Sequence, residues 1–139
     1  PLALDNQLCF ALYSTSLAMT QLYKDLLAPL ELTYPQYTIM LILWENDGVA
    51  LKAIADRLGQ KSGSLTPVIK RMEAEKLITR VRGREDDRSL SIELTKKGID
   101  LKEQAMLINQ CVAQACGISD DELSEVKDKL IRLKRNISK

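Results

Sequence analysis

The chain has 139 residues and a mass of 15.6 kDa, a one-domain length; 45% apolar and 28% charged residues suit a packed core and argue against disorder or membrane insertion. Twenty lysines and arginines against 19 acids leave a net charge of +1, so any anion-binding surface must be local. Histidine is absent, which excludes Ser-His-Asp and Cys-His catalysis and every histidine metal site.

The three cysteines, Cys9, Cys111 and Cys116, are too few and too unevenly spaced for a disulfide scaffold or an all-cysteine zinc site. No metal or cofactor is expected. The densest apolar run, Ile39 to Trp44, has the length of a buried helix segment and not of a membrane span. Pro1 in place of Met reads as a processed or trimmed start, and the expected setting is the cytoplasm, where thiols begin reduced.

Asp5 is a good N-cap, and Leu8, Leu12, Thr15, Met19, Leu22 and Leu26 follow at alternating spacings of four and three. That stripe predicts a long amphipathic helix ended by Pro29. Thr33 and Gln36 stand at capping-box spacing with Pro35 between them. The helix they open is apolar nearly all round through Trp44 and is the expected central core helix. After the turn signal Asn46-Asp47-Gly48, a short helix places Leu51, Ile54, Ala55 and Leu58 on one face, and Gly59 closes it. Ser62-Gly63-Ser64 begins another, with Leu65, Ile69 and Met72 buried. Pro67 is harmless there if Ser64 is the cap and costs one hydrogen bond if Ser62 is. Two short helices across a tight glycine turn form a helix-turn-helix pattern.

Periodicity then changes from 3.6 to 2. Arg80, Arg82 and Arg84 alternate with Thr79, Val81 and Gly83, and beyond Glu85-Asp86-Asp87 the residues Arg88, Leu90, Ile92 and Leu94 alternate with Ser89, Ser91 and Glu93. This predicts a β-hairpin with a charged tip. Thr95 caps a long helix carrying Leu101, Ala105, Ile108 and Val112, and Ser119 with Glu122 opens a last helix bearing Leu123, Val126, Leu130 and Leu133.

The expected fold is mainly α with a small β-hairpin wing: a winged helix-turn-helix over about 45–95, flanked by helices over 4–28 and 96–137, all within one domain of 1–139. The terminal helices carry apolar stripes wider than the remaining core can cover. A homodimer would bury them, and folding back on their own domain is the alternative.

Lys70 and Arg71 fall on the polar side of the second helix, with Ser62, Ser64 and Thr66 near its start. A helix in the major groove presents its N-terminal side chains to base edges, while hydroxyls and lysines reach phosphates. Arg80, Arg82 and Arg84 share one strand face, suiting a wing along the DNA backbone or in the minor groove. The alternative is a solvated hairpin whose arginines pair with Glu85, Asp86 and Asp87. Asp86 can instead hold Arg88 in a fixed direction.

With Asp5 as cap, Cys9 lies at the fourth helical position, near free backbone N–H groups and the positive end of the helix dipole. A thiol placed there is favoured as thiolate. Tyr13 is one turn on, Tyr23 lies further down the helix, and Tyr34 and Tyr37 open the next, so hydroxyls and rings are available for a pocket. Burial as a small hydrophobe is the equal alternative for Cys9. Cys111 and Cys116 are five apart on one helix, unsuited to pairing with each other, and are either resolving thiols for Cys9 or packing residues.

These residues resemble the MarR family of winged-helix regulators over essentially the whole chain, and within it the organic-hydroperoxide-sensing, OhrR-type branch. The resemblance rests on Asp5-Asn6-Gln7-Leu8-Cys9-Phe10, Leu32-Thr33-Tyr34-Pro35-Gln36-Tyr37, Ser62 to Arg71, and Asp86-Asp87-Arg88-Ser89, which matches the Asp-x-Arg wing motif. It implies that Cys9 is the peroxidatic cysteine, first oxidised to a sulfenic acid. It implies that Tyr23 and Tyr34 reach the thiolate from the other subunit and that Tyr13 is a third pocket tyrosine. The C-terminal cysteines place the chain with the two-cysteine members, which form an intersubunit disulfide; neither Cys111 nor Cys116 aligns securely with the resolving position, and Cys111 is the first choice.

The expected function is a dimeric repressor that binds a pseudo-palindromic double-stranded operator and releases it when an organic hydroperoxide oxidises Cys9. A second reading keeps the fold and makes the tyrosine-lined pocket the site of a small phenolic or other non-oxidant effector. A third, a thiol peroxidase, is opposed by the absence of histidine and of any arginine near Cys9 in sequence.

Overall fold

The computed structural model describes residues 2–82 and 90–138. Helix α1 spans Leu8–Leu27. Its start differs from expectation, because Asp5 is taken into a separate 3-10 turn, Leu4–Asn6. Asn6 N and Gln7 N donate back to Ala3 O and Leu4 O at 3.0 and 3.1 Å, and Gln7, extended at φ −91° and ψ 123°, is the cap. Of the stripe along α1, Leu12, Met19, Leu22 and Leu26 are half-buried and Leu8 and Thr15 exposed; among all α1 residues only Leu27 is buried, while Leu8, Tyr13 and Leu17 stand 57–66% exposed.

After a 3-10 turn over Ala28–Leu30 comes α2, Tyr34–Glu45. The capping box forms as expected: Gln36 N donates to Thr33 Oγ1 at 3.3 Å and Thr33 N to Gln36 Oε1 at 3.0 Å. Gln36, Tyr37, Ile39, Met40, Ile42 and Leu43 are buried, so α2 is the central helix. Asp47 in the following turn accepts from Gly48 N at 2.9 Å and Leu94 N at 2.8 Å. That tie introduces a strand the periodicity did not reveal, β1 (Val49–Ala50), paired antiparallel to Ile92 and Ser91.

Helix α3, Leu51–Leu58, buries Ile54 and Ala55 and ends at Gly59 in the left-handed region, φ 68°. Helix α4, Ser62–Ala74, buries Leu65, Ile69 and Met72. Neither serine caps it. Lys61 is the N-cap, extended and without a side-chain bond, so Pro67 lies inside the helix and removes one main-chain donor. Strands β2 (Ile78–Arg82) and β3 (Leu90–Leu94) pair antiparallel, with Ile78 opposite Leu94, Arg80 opposite Ile92 and Arg82 opposite Leu90. The sheet order is β1-β3-β2. Arg84, Asp86, Arg88 and the acid-rich tip lie outside the described residues.

Thr95 caps a helix, but a short one: α5, Lys96–Asp100, with Gly98 N donating to Thr95 Oγ1 at 3.2 Å. The expected long helix is interrupted at Leu101, whose ψ of −16° departs from α geometry, and α6 runs Lys102–Cys116. Gly98 is required here, since a Cβ would stand 2.4 Å from the main-chain oxygen of Leu77.

The chain divides into two units, Pro1–Gln104 and Ala105–Lys139. The core of the first is formed by α2, the helix-turn-helix and the sheet. In the second, α6 has Ala105, Ile108 and Val112 buried, and Gly117 (φ 67°) turns the chain. Ser119 Oγ accepts from Glu122 N at 3.1 Å to start α7, Asp120–Ile137. No residue of α7 is buried, and Val126, Leu130, Ile131 and Ile137 are 40–73% exposed. Among the described residues, no helix is long and apolar enough to cross a membrane.

Candidate nucleic-acid interface and thiol site

Burying Leu65, Ile69 and Met72 turns Gly63, Ser64, Pro67, Lys70 and Arg71 of α4 outward. Ser62 and Thr66 are half-buried at the edge of that face, and Thr66 Oγ1 donates to Ser62 O at 3.1 Å, so this hydroxyl is folded onto its own helix. Lys70 is exposed and forms no ion pair among the described residues. Arg71 points toward the helix C-terminus, where its Nε donates to Glu75 Oε1 at 3.0 Å.

The arginines of the wing do not behave alike. Arg80 opposes the fully buried Ile92, so its side chain leaves the sheet on the helix side and meets α4. Its Nε and Nη2 donate to Glu73 Oε1 at 3.1 and 2.9 Å, and its main-chain N–H donates to Glu73 Oε2 at 3.3 Å. Those bonds hold the Glu73 carboxyl below the usual carboxylate range. Arg82, two residues on and exposed, has no such partner among the described residues. Spacing alone did not show that a glutamate on the helix preceding the wing takes Arg80.

Cys9 is exposed and occupies the second position of α1, not the fourth, because the helix starts at Leu8. Its main-chain N–H thus belongs to the first turn, whose donors intrahelical bonds leave free. Tyr23 and Tyr34 meet elsewhere, with ring centroids 4.9 Å apart. Tyr37 joins them at 5.7 and 6.4 Å, and Trp44 stands edge-on to Tyr37 at 6.4 Å. Burial, aided by the neighbouring Tyr34 phenol, pushes the Tyr37 phenol up. Tyr37 was readable as a cluster member because it lies one turn from Tyr34 on α2. Tyr13, 66% exposed, stands apart from the cluster.

Along α1, the 14 residues from Cys9 to Tyr23 span about 21 Å. Within one chain the thiol and the tyrosine cluster are therefore at opposite ends of the same rod. Cys111 is exposed and Cys116 half-buried, both on the last turns of α6.

A helix-turn-helix followed at once by a two-stranded wing defines a winged-helix regulator. The chain belongs to the SarA/Rot family of transcriptional regulators, which matches residues 21–105. It is 45% identical over 130 residues to the organic hydroperoxide resistance transcriptional regulator of Bacillus subtilis, a match covering 94% of this chain and 88% of that protein. Among solved structures it is similar to AbfR, a Staphylococcus epidermidis protein. With reduced AbfR bound to DNA the TM-score is 0.81, at 32% identity and covering 98% of this chain and 95% of that one. With disulfide-formed AbfR it is 0.68, at 32% identity and covering 97% and 90%. The MarR-type, hydroperoxide-regulator resemblance read from the sequence stands on these matches, as does the mainly helical winged fold. The protein is a regulator of transcription and not an enzyme, which removes the thiol-peroxidase reading.

Proposed function

We propose that the chain is a homodimeric, cytoplasmic repressor. It binds a pseudo-palindromic duplex through α4 and the wing, and releases it when an organic hydroperoxide oxidises Cys9. The observation that carries this reading is the separation just described: an exposed Cys9 in the first turn of α1, with Tyr23, against which Tyr34 packs, about 21 Å down the same helix. Two copies of α1 crossing antiparallel near Ser16 would place Cys9 beside Tyr23 of the partner subunit. The exposed Tyr13 and Leu17, four residues apart and so on one side of α1, supply apolar surface for that crossing. Helix α7 supports the same symmetry, with Asp120, Asp121 and Glu122 in its first turn and Lys134 and Arg135 in its last, so an antiparallel pair sets acid against base.

In this dimer 4–28 and 96–137 are the dimerisation helices and about 45–95 the reading head. Ser62, Ser64, Thr66, Lys70 and Arg71 lie at or beside the groove, and Arg82 belongs to the wing; Arg84, Asp86 and Arg88, outside the described residues, join it by the sequence reading alone. The thiolate attacks the distal peroxide oxygen, giving a Cys9 sulfenic acid and, after a proton is taken up, the alcohol of the hydroperoxide. A thiol of Cys111 or Cys116 on the partner subunit then attacks that sulfur, forming the disulfide and releasing water. Cys111, the more exposed, is the first candidate. The crosslink re-spaces the two reading heads, and losing simultaneous engagement of both half-sites empties the duplex. AbfR, reduced on DNA at one extreme and disulfide-formed at the other, supports such a change of shape.

The test measures retention of a duplex, selected by the reduced parent from a random-sequence pool, before and after stoichiometric cumene hydroperoxide. The parent loses the duplex on oxidation and Cys9→Ser keeps it. An equal response of both would favour the alternative, an aromatic effector in the Tyr23, Tyr34, Tyr37 and Trp44 cluster.

A further inference from the structure

Among the described residues of the α4 face and the wing, two basic side chains have acidic neighbours and two have none. Arg71 is drawn back to Glu75, Arg80 is held by Glu73, and Lys70 and Arg82 are unpaired. The Arg80 contact differs in kind from the Arg71 one. Arg71 and Glu75 are one turn apart on the same helix and fix nothing beyond themselves. Glu73 and Arg80 belong to different elements, the last turn of α4 and the middle of β2.

The Glu73 carboxylate divides its oxygens, one taking the guanidinium and the other the main-chain N–H of the same residue. Because β2 is an edge strand of the β1-β3-β2 sheet, that outward N–H has no strand to pair with, and Glu73 supplies the missing acceptor. The strand itself, and not only a flexible side chain, is thereby fastened to the helix that reads the groove. Both side chains are only about a third exposed, at 31% and 37%, so the pair is partly shielded from water and salt.

We propose that Glu73 and Arg80 act together as a positioning pair that fixes the wing at one angle and distance from α4, and that Arg82, not Arg80, is the phosphate-contacting arginine of β2. A guanidinium already neutralised by a carboxylate releases no net counterion on meeting DNA, whereas Arg82, with no acidic partner among the described residues, does. Rigid spacing between helix and wing lets both reach the duplex without reordering the hairpin on binding, which preserves affinity. This inference rests on the duplex-binding reading above.

The experiment uses the full-length reduced protein and the duplex selected by the parent, with dissociation constants measured across a series of KCl concentrations. Variants are Glu73→Gln, Arg80→Gln, Arg80→Lys, the Glu73→Gln/Arg80→Gln pair and Arg82→Gln, each shown by urea unfolding to be fully folded under binding conditions. Counting charges alone, Glu73→Gln removes a negative group and should tighten binding. The positioning role has the opposite sign: Glu73→Gln weakens binding about tenfold, the loss of a charge-assisted bond. Arg80→Gln and Arg80→Lys lose as much, because an ammonium lacks the fork, and the double variant loses no more than either single one. In the Arg80 variants and the double variant the salt slope stays that of the parent, while Arg82→Gln lowers it by about 1 per copy.

A salt slope lowered by Arg80→Gln as much as by Arg82→Gln, or parental affinity in Arg80→Lys, would make Arg80 a phosphate contact and overturn the proposal. Parental or tighter binding by Glu73→Gln would do the same while leaving duplex binding intact. A parent that retained no duplex from the pool would instead remove the duplex-binding reading, and this inference with it.

Discussion

The indole N–H of Trp44, near the end of α2, donates across 2.9 Å to the main-chain oxygen of Gly98, 54 residues further along. Trp44 also touches Tyr37 edge-on, and Gly98 lies flat against the Leu77 carbonyl at the root of β2, leaving no space for a Cβ. Thr95 closes the same corner by donating its hydroxyl to Lys76 O at 2.6 Å. The aromatic cluster, α5 and the base of the wing are thus one packed path within the first unit.

This corner makes a stability prediction with two unequal parts. Trp44→Phe keeps the ring and removes the donor, and is expected to lower stability by about 1 kcal/mol. Gly98→Ala forces a methyl group against a backbone oxygen that cannot rotate away, and is expected to cost about 3 kcal/mol. Urea midpoints measure both. A Gly98→Ala variant as stable as the parent would mean that the corner is not closed as described.

Acid sensitivity follows from two carboxylates. Hydrogen bonds from Arg80 hold the Glu73 carboxyl below its ordinary value, and Arg57 does the same for Glu45 between α3 and α2. For a lowered carboxyl, the stabilising contribution is complete above the unfolded-state value, about pH 4.3, and is lost as pH falls through the folded-state one. The parent should therefore lose stability below about pH 5, and Glu45→Gln and Glu73→Gln should each show a shallower decline over that range. Urea midpoints taken at descending pH provide the comparison. Identical slopes for parent and variants would show that the pairs are absent in solution.

Much of this arrangement is legible in the amino-acid sequence. The Thr33–Gln36 box, the Gly59 stop and the core faces of α2, α3 and α4 are local patterns, set by residues within a turn of each other. What escaped was set by partners far along the chain. Strand β1 is two residues long, too short for any period, and exists because Ile92 and Ser91 lie beside it. The cap of α4 fell to neither serine, because Lys61 has no side-chain acceptor to announce it. Leu101 carries no breaker signal, yet the helix is interrupted there. At the candidate site the thiol and the tyrosines were visible by type, and Tyr37 by spacing. The diversion of Arg80 to Glu73 required the turn between α4 and β2 to be known.

The thiol chemistry predicts a pattern on non-reducing gels. After stoichiometric cumene hydroperoxide the parent should migrate as a crosslinked dimer, Cys9→Ser should remain monomeric, and one of Cys111→Ser and Cys116→Ser should fail to crosslink. Exposure favours Cys111 as the one that fails. In that variant the sulfenic acid has no resolving thiol and should be trapped by dimedone as a mass increase on the Cys9 peptide. Full crosslinking in both variants would set the two cysteines as interchangeable, and none in the parent would sink the disulfide step while leaving Cys9 oxidation to be read from the dimedone adduct.

The dimer itself is open to a direct assault on α7. Val126 and Leu130, one turn apart and 50% and 40% exposed, lie on a helix that buries nothing within the chain. Burying a side chain of this size contributes about 1.5–3 kcal/mol, and in a two-fold interface each is counted twice. Replacing both with aspartate puts four carboxylates into that face per dimer, so Val126→Asp/Leu130→Asp should sediment as a monomer at concentrations where the parent is a dimer. Its own fold should survive, since neither residue is buried in the single chain, and far-UV circular dichroism should match the parent. Binding to the selected duplex should fall by at least about 100-fold, the advantage that linking two half-site contacts confers. If the variant remained dimeric and bound as the parent does, α7 would not be part of the interface, and the antiparallel pairing of its acidic and basic ends would have to be abandoned.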